Sequence, residues 1–193
     1  MAKVRKLASP DCLGTAEEVI REGGILVYPT DTLYGLGVDP RNRSALERLS
    51  RIKGRQGPWS IAVAGFEMLE TYGEIPPDKR EFVSSHLPGR VTVILKARKS
   101  DLSPAVLGPR LTVGIRIPGH PFPVRLTERL RFPITTTSVN RTGKIPLNDP
   151  AAILNQFGDE VDLIVDGGRL PPSAGSRIYN LSGKDITVVR NPS

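Results

Sequence analysis

The stretch from Gly23 to Gly37 limits what this chain can fold into more than any other. Ile25 to Tyr28 is a continuous apolar run, too short for a helix, so it reads as a buried strand. Pro29 stops the ladder because it has no amide hydrogen to donate. Thr30, Asp31 and Thr32 then place hydroxyls and a carboxylate where the strand leaves the sheet. Gly35 and Gly37 are the points where backbone is expected to turn tightly or approach a ligand closely. Open α/β sheets bind ligands beyond the carboxyl ends of their strands, so this exit is a site candidate.

Around it, strands and helices interleave. Thr15-Ala16-Glu17-Glu18 reads as a capping box opening a helix with Ala16, Val19 and Ile20 on one face, ended by Gly23-Gly24. From Asn42, the residues Ala45, Leu46, Leu49 and Ile52 form an apolar stripe at helical spacing, and Gly54 is the natural terminator. Strands are expected at 60–64, 91–97, 111–117, 133–137 and 161–165, with a closing pair at 176–181 and 186–190. Helices are expected at 66–71, 124–130 and 151–157, and one capped by Asp78 that runs to about Leu87. Several consecutive strands lack a helix between them, which favours a mixed sheet. The expected architecture is α/β, one domain over 1–193 with its core from about 12 to 190.

Charge and residue usage remove several function classes. The chain carries 27 Lys and Arg against 20 Asp and Glu, a net +7 that favours polyanionic partners or serves solubility alone. The basic start, Met1 to Leu7, lacks the apolar core of a signal peptide. No apolar stretch nears the roughly 20 residues of a membrane helix, so no membrane contact and a cytoplasmic location are expected. Cys12 is the only cysteine, which excludes an intrachain disulfide. With His86 and His120 the only histidines, a Cys/His zinc site is nearly excluded, and His86 reads as a surface residue. There is no Gly-x-Ser-x-Gly elbow and no Walker A loop, and Gly35-Leu36-Gly37 lacks the third glycine of a dinucleotide fingerprint.

Hydroxyl, amide and cation chemistry remains. Lys53 and Arg55 flank Gly54 at a helix end, where they serve either the helix dipole or a cationic fork for phosphate and carboxylate. Thr135, Thr136, Thr137 and Ser138 are successive hydroxyls at the end of a strand, followed by Asn140. Arg116 sits in the otherwise apolar run Val113 to Ile117, so it needs a partner, either a structural Asp or a substrate carboxylate.

Taken together, Tyr28-Pro29-Thr30-Asp31-Thr32-Leu33-Tyr34-Gly35-Leu36-Gly37, Lys53-x-Arg55, Val113 to Pro118 and Thr137 to Gly143 resemble the TsaC/YrdC family of L-threonylcarbamoyladenylate synthases. The resemblance runs from about Ala16 to Arg190 and is to the short form, without an extra C-terminal domain. It implies a single twisted mixed sheet with flanking helices and a basic concave cleft. It also implies a reaction: L-threonine, bicarbonate and ATP give threonylcarbamoyl-AMP and pyrophosphate, with magnesium on the nucleotide and no permanent protein-bound metal. The product feeds threonylcarbamoyladenosine formation in tRNA through a partner threonylcarbamoyl-transferase complex, and tRNA or double-stranded RNA is an implied partner.

By the same resemblance, Lys53 and Arg55 are catalytic and face the phosphates and carbamate. Thr32, Arg116, Thr136 and Ser176 hold threonine, and Thr112, Ser138, Asn140 and Arg190 join Lys53 and Arg55 at the nucleotide. The chain departs from the family pattern at Trp59, Ala64, Val139, Arg177 and Asn180. The other implied readings are an RNA-binding relative without synthase activity and a carbamoyl-transfer relative.

Overall fold

The computed structural model describes residues 1–192. In chain order its elements are β1 (Lys3–Lys6), α1 (Cys12–Arg21), β2 (Leu26–Tyr28), β3 (Gly35–Gly37), α2 (Arg43–Lys53), β4 (Ile61–Ala62), α3 (Phe66–Tyr72) and β5 (Gly73–Glu74). There follow α4 (Arg80–His86), β6 (Val91–Ala97), β7 (Thr112–Arg116), α5 (Pro121–Leu130), β8 (Ile134–Thr135) and β9 (Thr137–Ser138). The chain closes with α6 (Pro150–Phe157), β10 (Leu163–Asp166), β11 (Arg177–Asn180) and β12 (Thr187–Arg190).

The expected mixed α/β architecture is present, with its strands divided between two sheets. One has the order β1-β10-β2-β3-β9; the other runs β12-β11-β6-β7-β4-β8, with β5 added on β6. In the first sheet β2 is parallel to β10 and antiparallel to β3. The run Ile25 to Tyr28 is buried on both faces: Ile25 and Val27 enter one core, and Leu26 and Tyr28 enter a second beneath α1 and α5. That explains an unbroken apolar run where a half-exposed strand would alternate.

The expected strand at 133–137 changes sheets instead of continuing. β8 pairs with β4 in one sheet and β9 with β3 in the other. The buried Thr135 hydroxyl accepts from Val38 N at 3.0 Å, while Thr136 N donates to Ser60 O at 2.8 Å. Consecutive residues are thereby tied to different neighbours, which breaks the strand at Thr136.

Local cues are clearest at α2. Asn42 Oδ1 accepts from Ala45 N at 3.1 Å, and Gly54 ends the helix at φ 67° in the left-handed region. Two expected caps do not form. The first helix starts at Cys12, because the Ser9–Asp11 turn opens it early; Thr15 is inside it and donates to Asp11 O. Asp78 lies in a 3-10 turn, Pro77–Lys79, and α4 begins after it. The buried Lys79 amine pins that turn by donating to the carbonyls of Leu181 and Gly183. β1, β3 and β5 have no counterpart among the strands expected from the sequence.

Gly35 and Gly37 leave room for a ring. A Cβ on either would come within 2.9 or 2.8 Å of the Tyr28 ring, which packs across the β2–β3 pair. Tyr28 itself donates to Thr135 O at 3.1 Å, and burial pushes its phenol up to about 12. Gly37→Ala is therefore expected to cost about 1–3 kcal/mol by overpacking, read as a lowered melting midpoint. An unchanged midpoint would show that the ring can shift freely.

Candidate functional site

Segments far apart in the chain converge on one cavity of about 160 Å³. The β2–β3 connection contributes Thr30, Thr32 and Tyr34, the α2–β4 connection contributes Arg55, Trp59 and Ser60, and β7 contributes Arg116. Thr136 to Ser138 form another wall, and Ser176 with Arg190 closes the cavity from the β11–β12 side.

The connection after β2 is shaped by Thr30. Its hydroxyl accepts from Thr32 N at 3.0 Å and Leu33 N at 3.2 Å and donates to Leu33 O at 2.7 Å. This turn delivers Thr32 Oγ1 to Arg116 Nη1 at 3.2 Å. Arg116 Nη2 donates to Asp31 Oδ1 at 2.6 Å and to Gly89 O at 3.3 Å. Of the partners the sequence left open, the structure supplies the Asp. Arg116 Nε and Asp31 Oδ2 are buried and have no protein partner.

Lys53 is 3 % exposed, although it ends a helix. Its amine donates to Ser138 O and Asn140 Oδ1, both at 2.7 Å, and Ser138 Oγ donates to the same Asn140 oxygen at 2.6 Å. Asn140 Nδ2 in turn donates to the carbonyls of Arg141 and Lys144. Lys53 and Asn140 thus stand behind Ser138 and do not line the cavity. Burial, then the neighbouring Arg55 cation, lowers the Lys53 amine to about 8.

Arg55 does line the cavity; its guanidinium lies 4.2 Å from the Trp59 ring centroid. On the facing side Ser176 Oγ meets Thr92 Oγ1 at 2.9 Å, and Arg190 donates to Ser176 O through Nε at 2.9 Å and Nη2 at 2.6 Å. Desolvation, then the Arg116 cation, lowers the Arg190 pKa.

Most of the expected site residues meet at this cavity: Thr32, Arg55, Arg116, Thr136, Ser138, Ser176 and Arg190 line it. Thr112 is not on the lining; its hydroxyl donates to Pro109 O at 3.0 Å. Of the positions that depart from the family pattern, Ala64 and Arg177 line other surface depressions, and Asn180 Oδ1 accepts from Ser182 in a turn. His86 is half-buried, not a free surface residue: it stacks on Phe82 at 4.1 Å.

Sequence reasoning missed Tyr34, Ser60 and Thr92. Tyr34 OH donates to Gly168 O at 2.7 Å and accepts from Gly167 N at 3.0 Å, tying the loop before Ser176 to the opening stretch. Nothing local signals that tie, since its partners are distant in the chain. Among the described residues no group of three or more His, Cys, Asp or Glu is placed to hold a metal ion. No helix among them is long and apolar enough to cross a membrane.

A family model described as telomere recombination, Sua5/YciO/YrdC, matches residues 18–192. The chain is 39% identical over 165 residues to the threonylcarbamoyl-AMP synthase of Idiomarina loihiensis, covering 81% of this chain and 87% of that one. The crystal structure of E. coli YciO superposes with TM-score 0.90 at 28% identity, covering 100% of this chain and 96% of that one. P. abyssi Sua5 complexed with L-threonine superposes with TM-score 0.89 at 26% identity over all of this chain, which spans only 57% of that longer protein. The chain belongs to the Sua5/YciO/YrdC family.

Proposed function

We propose that the protein is an L-threonylcarbamoyl-AMP synthase. The observation that carries this reading is the meeting of Arg116 and Thr32 with Arg55 and Ser138 at one cavity, with Lys53 and Asn140 bonded behind Ser138. An amino acid carboxylate needs a fixed guanidinium, and a polyphosphate needs cations with hydroxyl and amide donors. The relative from Idiomarina loihiensis bears the name of this activity, and P. abyssi Sua5 has been seen with L-threonine.

In the proposed reaction the threonine amine and bicarbonate form a carbamate with loss of water. A carbamate oxygen attacks the α-phosphorus of ATP, the bond to the β-phosphate oxygen breaks, and pyrophosphate leaves. Arg116 and Thr32 hold the threonine, with Thr136 and Ser176 beside it. Arg55 and Arg190 face the phosphates, Ser138 contacts the nucleotide, and Lys53 holds Ser138 and Asn140 in place while adding its charge. No covalent nucleophile is called for; positioning and charge lower the barrier, and an enclosed site keeps the carbamate from water. Magnesium would arrive on the nucleotide and neutralise phosphate charge there; Asp31, the carboxylate at the strand exit, is already held by Arg116. The product would pass to a separate transferase acting on tRNA. Contact with tRNA would rest on the excess positive charge, so its affinity should fall steeply with salt.

The test is pyrophosphate release from ATP. Release that requires both L-threonine and bicarbonate is expected; none from folded protein would refute the synthase reading. If such protein still binds RNA with a steep salt dependence, the RNA-binding alternative takes its place.

A further inference from the structure

We infer that Trp59 is a positioning residue that holds the Arg55 guanidinium by its face and leaves its edge for phosphate. The inference rests on the reading of this cavity as a nucleotide site. Arg55 follows Gly54, so it has left the helix, and no carboxylate pairs with it among the described residues. A long side chain free in an open cavity loses rotamer entropy on binding a ligand. Here that freedom is already removed. Arg55 Nη1 donates to Gln56 O at 2.8 Å and Pro58 O at 3.3 Å, and the guanidinium carbon lies 4.2 Å from the indole centroid.

The indole is equally fixed. Trp59 is 1 % exposed, its backbone N donates to Val106 O at 3.1 Å, and Gly57 lies so close to Ala105 that a Cβ would collide with that carbonyl. The indole Nε1 is buried with no acceptor. An aliphatic side chain would fill this space without burying an unpaired N–H. What the indole adds is the strongest π face for a cation. Stacking uses the face of the guanidinium, and with Nη1 on the two carbonyls its Nε and Nη2 are the edge for phosphate, so one group can do both; an ammonium over the same ring has no planar edge to present.

The test is a double-mutant cycle on ATP affinity, measured by calorimetry without threonine, combining Trp59→Leu with Arg55→Lys. With Trp59 intact, Arg55→Lys should weaken ATP binding about tenfold or more; in the Trp59→Leu background the same change should cost under about threefold. Trp59→Phe, which keeps an apolar ring in place, should fall between and carries the test if the Trp59→Leu variant does not fold. Equal penalties in both backgrounds would overturn the positioning role, as would an absence of ATP binding by the wild type. Because threonine is absent, a protein that shows the coupling but releases no pyrophosphate refutes the synthase reading alone. Trp59 is the only tryptophan, so Arg55→Ala should also shift its emission before any ligand is added; unchanged emission counts against the stack.

Discussion

Arg55→Ala is expected to reduce threonine-dependent pyrophosphate release about 10²–10³-fold while the melting midpoint stays near wild type, as for loss of a donor aimed at developing charge. Arg55 lines the cavity and has no structural ion pair to lose among the described residues. Lys53→Ala should lose activity to a similar degree for a different reason. Its removal takes the amine's two charge-assisted bonds from Ser138 O and Asn140 Oδ1, which keep only Asn140 N and Ser138 Oγ as donors, so it should also lower stability, by about 1–3 kcal/mol. The amine gives a pH signature as well. With its pKa lowered to about 8 by burial and by Arg55, Lys53 is charged below that pH and neutral above it. ATP affinity should therefore be flat below about pH 8 and fall above it, by up to about tenfold per pH unit. Affinity is the right measurement, because the threonine amine gains reactivity over the same range. Affinity that stays flat to about pH 10, well past the lowered pKa, would remove Lys53 from the charge that nucleotide meets.

The second large effect is expected at Arg116. Its side chain is 5 % exposed and that of Asp31 14 %, so Arg116→Met leaves a buried carboxylate unpaired. The cost should be about 3–5 kcal/mol, a melting loss of roughly 6–20 °C for a chain of this size. Adding Asp31→Asn should restore most of that stability, since it removes the orphaned charge. Restored folding should not restore threonine-dependent release, whereas ATP should still bind. If the double variant regains release, Arg116 serves only Asp31 and threonine's carboxylate is held elsewhere.

Lys53 and Arg116 mark the limit of what was legible in the sequence. Asn42 and Gly54 bound α2 as read, because caps are set by residues only a few positions apart. The hydroxyl-bearing strand exits were also legible, since strand ends are the usual ligand side of an α/β sheet. Lys53 could be placed at a helix end but its burial could not, because the carbonyl it meets belongs to Ser138. The Arg116–Asp31 pair joins residues 85 positions apart, and only tertiary packing brings them together. Gly35 and Gly37 carried a clear signal whose cause lay on a neighbouring strand, in the Tyr28 ring. Pro133 to Thr137 read as one strand because spacing cannot show that successive residues pair with different sheets.

The burial of Lys53 also has a consequence in time. Stripping water from an ammonium group is unfavourable wherever it occurs. Here it happens once, when the chain folds and Ser138 and Asn140 close on the amine. In the proposed reaction each later turnover then starts with a dry, fixed cation already in place, so the hydration shell that a surface lysine would shed and regain in every cycle never enters the catalytic clock.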